Sequence, residues 1–220
     1  MLCEELIEEF AGLIDTAFYT HGHPDHIGPN ITGRLQAHGK KVIAPLAAIQ
    51  DWRLKKAIPA EELRREHVRC YPGIQRMVDG KDSPNSAYLL TLRSGATFFV
   101  RGDIYCSEDF LPILDRIEQE GRTIDFAAMS PFHQSGSSPV TELDSRFHCR
   151  FLAIHEWEFS HRAVGAVGAA TQTFAELQES FRVPGEDGRC ACLAWGESGL
   201  LGKQEFAGLE FDCSRQEACR

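Results

Sequence analysis

Polar and apolar positions along the chain follow two periods, one typical of helices and one of strands. Residues 2–13 place Leu6, Ile7, Phe10 and Leu13 at helical spacing among glutamates, which predicts an amphipathic helix. The same pattern, with glycine and proline as boundaries, predicts five further helices. They cover residues 29–38, a segment that runs through 52–56, residues 59 to about 67, residues 107–120 and residues 171–181.

Short apolar runs separate these helices and predict strands. They cover 14–20, 41–44, 68–71, 87–92, 97–100, 124–129, 151–155 and 189–195. The strands over 87–92 and 97–100 form a predicted hairpin across Ser94 and Gly95. The polar segments 73–86 and 135–138 predict irregular loops. Strands and helices in alternation predict a layered α/β fold in one domain that covers residues 1–220.

The composition agrees with a globular domain and argues against several classes of protein. With 220 residues, 43% of them hydrophobic, the chain can bury one sizeable core. A net charge of −9 argues against nucleic acid as a partner, and no apolar run is long enough to span a membrane. The first residues lack a signal-peptide pattern and the eight cysteines suit reduced thiols, so a cytoplasmic protein is expected. The composition is also compatible with a homo-oligomer.

Four of the six residues from 21 to 26 carry side chains that bind metals: His21, His23, Asp25 and His26. Imidazole and carboxylate together suit zinc, iron or manganese. His21 and His23 are two positions apart at a predicted strand end, so they point to one side, and the other two follow in a turn. An accidental polar surface turn is the alternative, but three histidines and an aspartate at this density favour a metal site.

The segment 20–27 resembles the His-x-His-x-Asp-His signature of the metallo-β-lactamase fold. Later segments resemble the same family in the same order. Residues 98–103 are similar to the strand that ends in Gly-Asp, 124–126 to the next strand, and 151–155 to the strand that carries the last histidine.

Other segments narrow the resemblance to one branch of the family. Residues 156–159 and 196–197 are similar to the branch that includes L-ascorbate-6-phosphate lactonase. The resemblance covers about residues 4–202 and leaves 203–220 as a C-terminal tail. It implies the αββα sandwich of the metallo-β-lactamase fold.

The resemblance also implies a metal-dependent hydrolase and gives each candidate residue a role. It implies one or two ions of zinc, or of manganese or iron, with Asp25 and Asp103 taking part in catalysis. A metal-bound hydroxide would attack an ester, lactone or phosphoester in a small-molecule substrate. The implied ligands are His21 and His23 for the first ion, Asp25, His26 and His155 for the second, and Asp103 as the bridge between the two ions.

The later residues also have simpler explanations. Asp103 would otherwise be a turn aspartate, and His155 a hydrogen-bonded core histidine. Their positions at strand ends, in the family's order, favour the metal role. His133 and His161 are candidates for substrate binding, although a plain surface position explains each more simply.

The chain departs from the family pattern in two places. The family has another first-metal histidine some two dozen residues before Asp103, where this chain has none. Asp79 or Asp82 would replace it, or would be solvated loop charges. Only about twenty residues precede the histidine cluster, which predicts an incomplete N-terminal sheet. Both departures keep alternatives open: a degenerate protein that binds metal or a small ligand without turnover, or an interaction scaffold.

Overall fold

The computed structural model describes residues 4–23, 26–50, 54–63, 67–77, 80–130, 134–154, 190–192, 197–201 and 206–211. These residues form two compact units. The first comprises the described residues up to Tyr88 together with Gly102–Ile104, and the second comprises Leu89–Arg101 and the described residues from Tyr105 onward. Both units contain helices and strands, so the chain is a mixed α/β protein. Across the described helices, none has the length and apolarity needed to cross a bilayer.

A small parallel sheet lies at the start of the first unit. It contains β1 (Thr16–Phe18), β2 (Lys41–Ala44) and β3 (Ile58–Pro59), in that order. Helix α1 (Glu4–Leu13) precedes β1, and α2 (Pro29–Ala37) lies between β1 and β2 along the chain. A helical crossover is the usual connection between parallel neighbours, which explains why a helix follows the histidine cluster.

The first unit has an apolar core. Its buried members are Ala11, Tyr19, Ile27, Leu35, Val42, Ala44, Ala48 and Leu54. In α1 the buried side chains include Ile7 and Ala11, which are one helical turn apart, whereas Phe10 and Leu13 are exposed. The helix therefore buries a face different from the one that its large apolar residues predicted.

Two longer strands complete the first unit and carry polar residues into its interior. β4 (Val68–Gln75) and β5 (Ser83–Thr91) are neighbours, and β5 belongs to this unit as far as Tyr88. His21 pairs with Asn85 of β5 in an antiparallel bridge. The histidine cluster is therefore held against β5 by backbone pairing.

A mostly parallel sheet forms the second unit. Its order is the end of β5, then β6 (Thr97–Val100), β7 (Phe126–Met129), β8 (Arg150–Ala153) and β9 (Cys190–Cys192). Strands β6 to β9 are all parallel to their neighbours.

Two helices connect the strands of this sheet, and a hairpin follows it. Helix α3 (Ser107–Gln119) lies between β6 and β7, and α4 (Pro139–Phe147) lies between β7 and β8. The last two strands, β10 (Glu197–Leu201) and β11 (Phe206–Phe211), pair with each other in the antiparallel sense.

Buried Arg101 fixes the backbone at the point where β6 ends. Its Nη2 donates a hydrogen bond to the carbonyl oxygen of Ser130 at 2.8 Å. The guanidinium also lies over the rings of Tyr105 and Phe110, at 5.1 and 5.8 Å from their centroids. A charge without exposed surface needs such partners, and these contacts join the end of β6 to Ser130, Tyr105 and Phe110.

Several elements expected from the sequence are confirmed, and two are wrong. Helices α1, α2 and α3 and strands β2 and β6 agree with the sequence pattern. The helix expected over 59–67 is wrong, because a 3-10 turn covers Ala60–Glu62. The expected helix through 52 to 56 is also wrong in its described residues, because Leu54 is in a 3-10 conformation and Lys55 and Lys56 form a turn.

The remaining differences concern strands and one missed helix. Much of the segment 73–86, expected to be irregular, belongs to β4 and β5. Helix α4 was not expected, nor were β10 and β11. The helix expected over 171–181 lies outside the described residues.

Candidate metal centre

A tight turn brings two histidines of the cluster together. The carbonyl oxygen of His23 accepts hydrogen bonds from the backbone N–H groups of His26 and Ile27, both at 3.1 Å. This turn brings the chain back toward β1, so that the rings of His21 and His26 lie 4.1 Å apart between centroids. Backbone hydrogen bonds therefore set the spacing of the two imidazoles.

Asp103 reaches the same place through a glycine in the left-handed region. Gly102 has φ +64°, a conformation that L side chains rarely adopt. A Cβ at this position would collide with Asn85 Oδ1 and would lie 3.0 Å from Thr20 Cβ. Close packing against β5 and against the residue before His21 thus requires glycine immediately before Asp103.

His21, His26 and Asp103 form a compact group of potential ligands. Asp103 Oδ2 lies 3.3 Å from His26 Nε2 and 3.6 Å from His21 Nε2. The ligand atoms of the three residues all lie within 4.8 Å of one another. Two ligand atoms on one tetrahedral zinc ion, each about 2.0–2.1 Å from it, are about 3.4 Å apart. Both nitrogen–oxygen distances match that spacing, so this donor set fits one metal ion, whereas the family resemblance implies that His21 and His26 bind different ions.

The group is protected from solvent on one side. His21 is 0% exposed and Asp103 is 3% exposed, whereas the His26 side chain is 20% exposed. A buried carboxylate needs compensating charge or hydrogen bonds, which imidazolium or a metal ion would supply. The partial exposure of His26 marks the side from which a small ligand would approach.

His23 lies next to this group but is not one of its three members. Its half-buried ring stands edge-on to that of His21, with 4.6 Å between the centroids. Its role as a ligand of the first ion stays a prediction.

Gln75, at the end of β4, contacts the carboxylate directly. Its Nε2 donates a hydrogen bond to Asp103 Oδ2 at 3.1 Å across 28 residues of chain. The residue is 7% exposed, and its Oε1 has no hydrogen-bond partner among the described residues. Gln75 lies in the segment where the family resemblance expects a histidine. The family pattern drew attention to the aspartates there, although a polar residue at the end of a strand is a usable signal for Gln75.

Asn85 is a second buried carboxamide beside the group. It is 2% exposed, and neither side-chain polar atom has a hydrogen-bond partner within the described part of the chain. Opposed residues of an antiparallel bridge point to the same face, so the side chain shares a face with His21. Buried polar groups are normally satisfied, and those that are not often mark a place for water or a ligand.

Thr20 sets the orientation of the His21 ring. Its Oγ1 lies 3.0 Å from His21 Nδ1, in hydrogen-bond contact. When the hydroxyl accepts from Nδ1–H, Nε2 carries the lone pair of the imidazole on the side of Asp103.

The other expected site residues are placed elsewhere or lie outside the description. Asp82 is exposed, and its two carboxylate oxygens accept hydrogen bonds from Arg76 Nη1 and Met77 N, each at 3.1 Å. These contacts favour a turn-stabilising role over that of a substitute ligand. Five predicted residues lie outside the described part of the chain, namely Asp25, Asp79, His133, His155 and His161.

Comparison with known proteins adds no assignment. No protein-family model matches the chain, and no curated protein matches it at a significant level.

Proposed function

We propose that this protein is a metal-dependent hydrolase with a metallo-β-lactamase-like αββα fold, acting on a small ester, lactone or phosphoester. The observation that carries the proposal is the meeting of His26 Nε2 and His21 Nε2 at Asp103 Oδ2, with separations of 3.3 and 3.6 Å. Two imidazoles and a carboxylate suit zinc, and also manganese or iron. One or two ions would be held.

Each residue of the group has a defined task in this proposal. His21 and His26 would offer neutral imidazole lone pairs, and Asp103 would neutralise part of the cation's charge. With Thr20 Oγ1 accepting from Nδ1–H, His21 would present Nε2 to the ion. A bound metal would supply an activated water at neutral pH and polarise the carbonyl or phosphoryl oxygen of the substrate.

Two neighbours would bind and orient the substrate. Asn85 offers an N–H donor and a carbonyl acceptor that have no partner among the described residues. A substrate oxygen or hydroxyl would satisfy them, which supports a polar substrate rather than a hydrocarbon. His26, as the exposed member, would face the incoming molecule.

The family resemblance supplies the remaining candidates. It implies Asp25 and His155 as further ligands, with His133 and His161 close to the substrate. The parallel order of β6, β7 and β8 supports this assignment, since parallel strands end at the same edge of a sheet. Asp103 follows β6 and His155 follows β8 along the chain.

A metal analysis combined with a hydrolysis screen tests the proposal. The purified chain is dialysed, assayed for bound metals, and offered generic aryl esters, lactones and phosphodiesters with added zinc or manganese. We expect bound metal and chelator-sensitive hydrolysis, both lost in His21→Gln. His38→Gln is the matched control, because His38 is exposed and hydrogen-bonds to Glu8 away from the group. Equal metal content in the two variants, or hydrolysis that survives chelation, would contradict the proposal.

A second candidate is a protein that binds metal or a small ligand without turnover. The hydrogen bond from Gln75 to Asp103 favours it, because an amide nitrogen stands where the family resemblance expects a ligand. Stoichiometric metal without hydrolysis of any substrate class in the screen would select this candidate.

A further inference from the structure

We propose that Asn85 contributes its side-chain carbonyl oxygen to the metal ion, as a further ligand beside His21, His26 and Asp103. The inference rests on the proposed function and refines the part of Asn85 in it. The oxygen of the carboxamide binds the ion, and its N–H group is left for a substrate oxygen.

Backbone pairing brings the Asn85 side chain to the ligand group. The antiparallel bridge between Asn85 and His21 places the two side chains on one face, with their Cβ atoms about 4.5–5.5 Å apart. Asn85 Oδ1 also lies so close to Gly102 that a Cβ there would collide with it. Gly102 directly precedes Asp103. The carboxamide is therefore next to both backbone segments that carry ligands of the group.

The same carboxamide is buried with its hydrogen-bonding capacity unused. Asn85 is 2% exposed, and neither Oδ1 nor Nδ2 has a hydrogen-bond partner among the residues that the structure describes. A carboxamide can accept at its oxygen and donate twice at its nitrogen. Buried groups of this kind are normally paired, so an unpaired one indicates a place for an ion, a ligand or water.

A metal ion suits this place better than a water molecule. A zinc–oxygen bond is about 2.0–2.2 Å long, whereas a hydrogen bond between two oxygens spans about 2.7–2.8 Å. An ion therefore needs less room beside an atom that is closed to solvent. A cation also selects the carbonyl oxygen of Asn85, since the lone pair of an amide nitrogen is delocalised into the carbonyl.

The added oxygen changes which ions the group favours. Imidazole suits zinc and iron, whereas carbonyl and carboxylate oxygens suit manganese. Zinc is usually complete with about four ligands, but manganese takes about six in its octahedral sites. Loss of the Asn85 oxygen should therefore weaken manganese binding more than zinc binding.

Separate titrations of the full chain with manganese(II) and zinc measure this difference. Asn85→Leu keeps the branched shape of the side chain and removes both polar atoms. We expect it to bind manganese about tenfold more weakly, or weaker still, and to lose less of its zinc affinity. Asn30→Leu is the matched control, because Asn30 is exposed on α2, and it should bind both ions as the wild type does.

Asn85→Asp separates the oxygen from the nitrogen of the carboxamide. It keeps the size of the side chain and an oxygen ligand but has no N–H, so manganese should bind at least as tightly as in the wild type. Weaker manganese binding in this variant would assign the role to the N–H group and overturn the proposal.

Two outcomes for Asn85→Leu would also overturn the proposal. The first is an unchanged manganese affinity. The second is an equal loss of affinity for both ions, which displacement of the neighbouring ligands alone would produce. A wild type that binds neither ion would instead refute the proposed function itself.

Discussion

Replacing Gly102 with alanine should both destabilise the protein and weaken metal binding. The residue has φ +64°, and an L side chain in this region costs about 1–2 kcal/mol. The added Cβ would also collide with Asn85 Oδ1 and lie 3.0 Å from Thr20 Cβ. Overpacking in a well-packed interior costs about 1–3 kcal/mol. The expected loss of unfolding free energy is therefore about 2–5 kcal/mol.

Gly39→Ala is the matched control for the backbone part of this cost. Gly39 has φ +67°, almost the same conformation, and nothing lies within 4 Å of its added Cβ. It should lose only about 1–2 kcal/mol, so the difference between the two variants isolates the crowding around Asn85.

Urea unfolding of the metal-free variants, followed by zinc titration, measures both effects. We expect Gly102→Ala to unfold at lower urea than Gly39→Ala and to bind zinc at least tenfold more weakly, because Asp103 is displaced. Equal unfolding free energies, within about 0.5 kcal/mol, together with equal zinc affinities would refute the account of how Asp103 is positioned.

Three further predictions concern single side chains of the first unit. His26→Gln should weaken zinc binding at least tenfold whereas His38→Gln should not, as isothermal titration would show. Burial raises the pKa of Tyr88 above its ordinary 10.0, so the stabilisation from the neutral phenol is complete below pH 10 and is lost as pH rises further. Tyr88→Phe should remove that alkaline dependence in thermal melts and cost about 0.5–1.5 kcal/mol through the lost hydrogen bond to the Tyr19 carbonyl. The hydrogen bond from His38 lowers the pKa of Glu8 below 4.5. The contribution of ionised Glu8 to folding stability is therefore present above that pH and is lost as pH falls. A Glu8→Gln protein whose acid unfolding midpoint equals that of the wild type would contradict this.

The parts of the site that the sequence predicted are local. The density of ligands from His21 to His26 is visible in six residues, and the structure brings two of those histidines together with Asp103. Asp103 was singled out by the family resemblance of residues 98–103, in which an apolar strand precedes it, and that segment is short as well. Both signals can be read from the sequence without knowing how distant segments pair.

The parts that the sequence missed depend on long-range pairing. Gln75 meets Asp103 across 28 residues, and Asn85 faces His21 only because β5 pairs with the segment after β1. Strand register decides such contacts, and a shift of one residue would turn each side chain to the other face. In this segment the sequence offered Asp79 and Asp82 as candidates, whereas the described residue that contacts Asp103 is Gln75.

The secondary structure also contains elements that the local sequence predicts and elements that it does not. Helix α3 has a strong helical period, and four of its apolar residues are buried. Between Ala48 and Glu62 the described residues include 3-10 turns and a two-residue strand, which shows that local helix propensity is a weak guide here. Helix α4 carried a readable signal that was overlooked: Val140 and Leu143 are three positions apart, and both are buried.

Zinc K-edge X-ray absorption of the full chain, loaded with one equivalent of zinc, tests the central claim most directly. A centre built on His21, His26 and Asp103 predicts a first shell of nitrogen and oxygen at about 2.0–2.2 Å, with imidazole scattering that falls in His26→Gln. The eight cysteines provide the competing ligands. A shell dominated by sulfur at about 2.3 Å, or a spectrum unchanged in His26→Gln, would contradict the account.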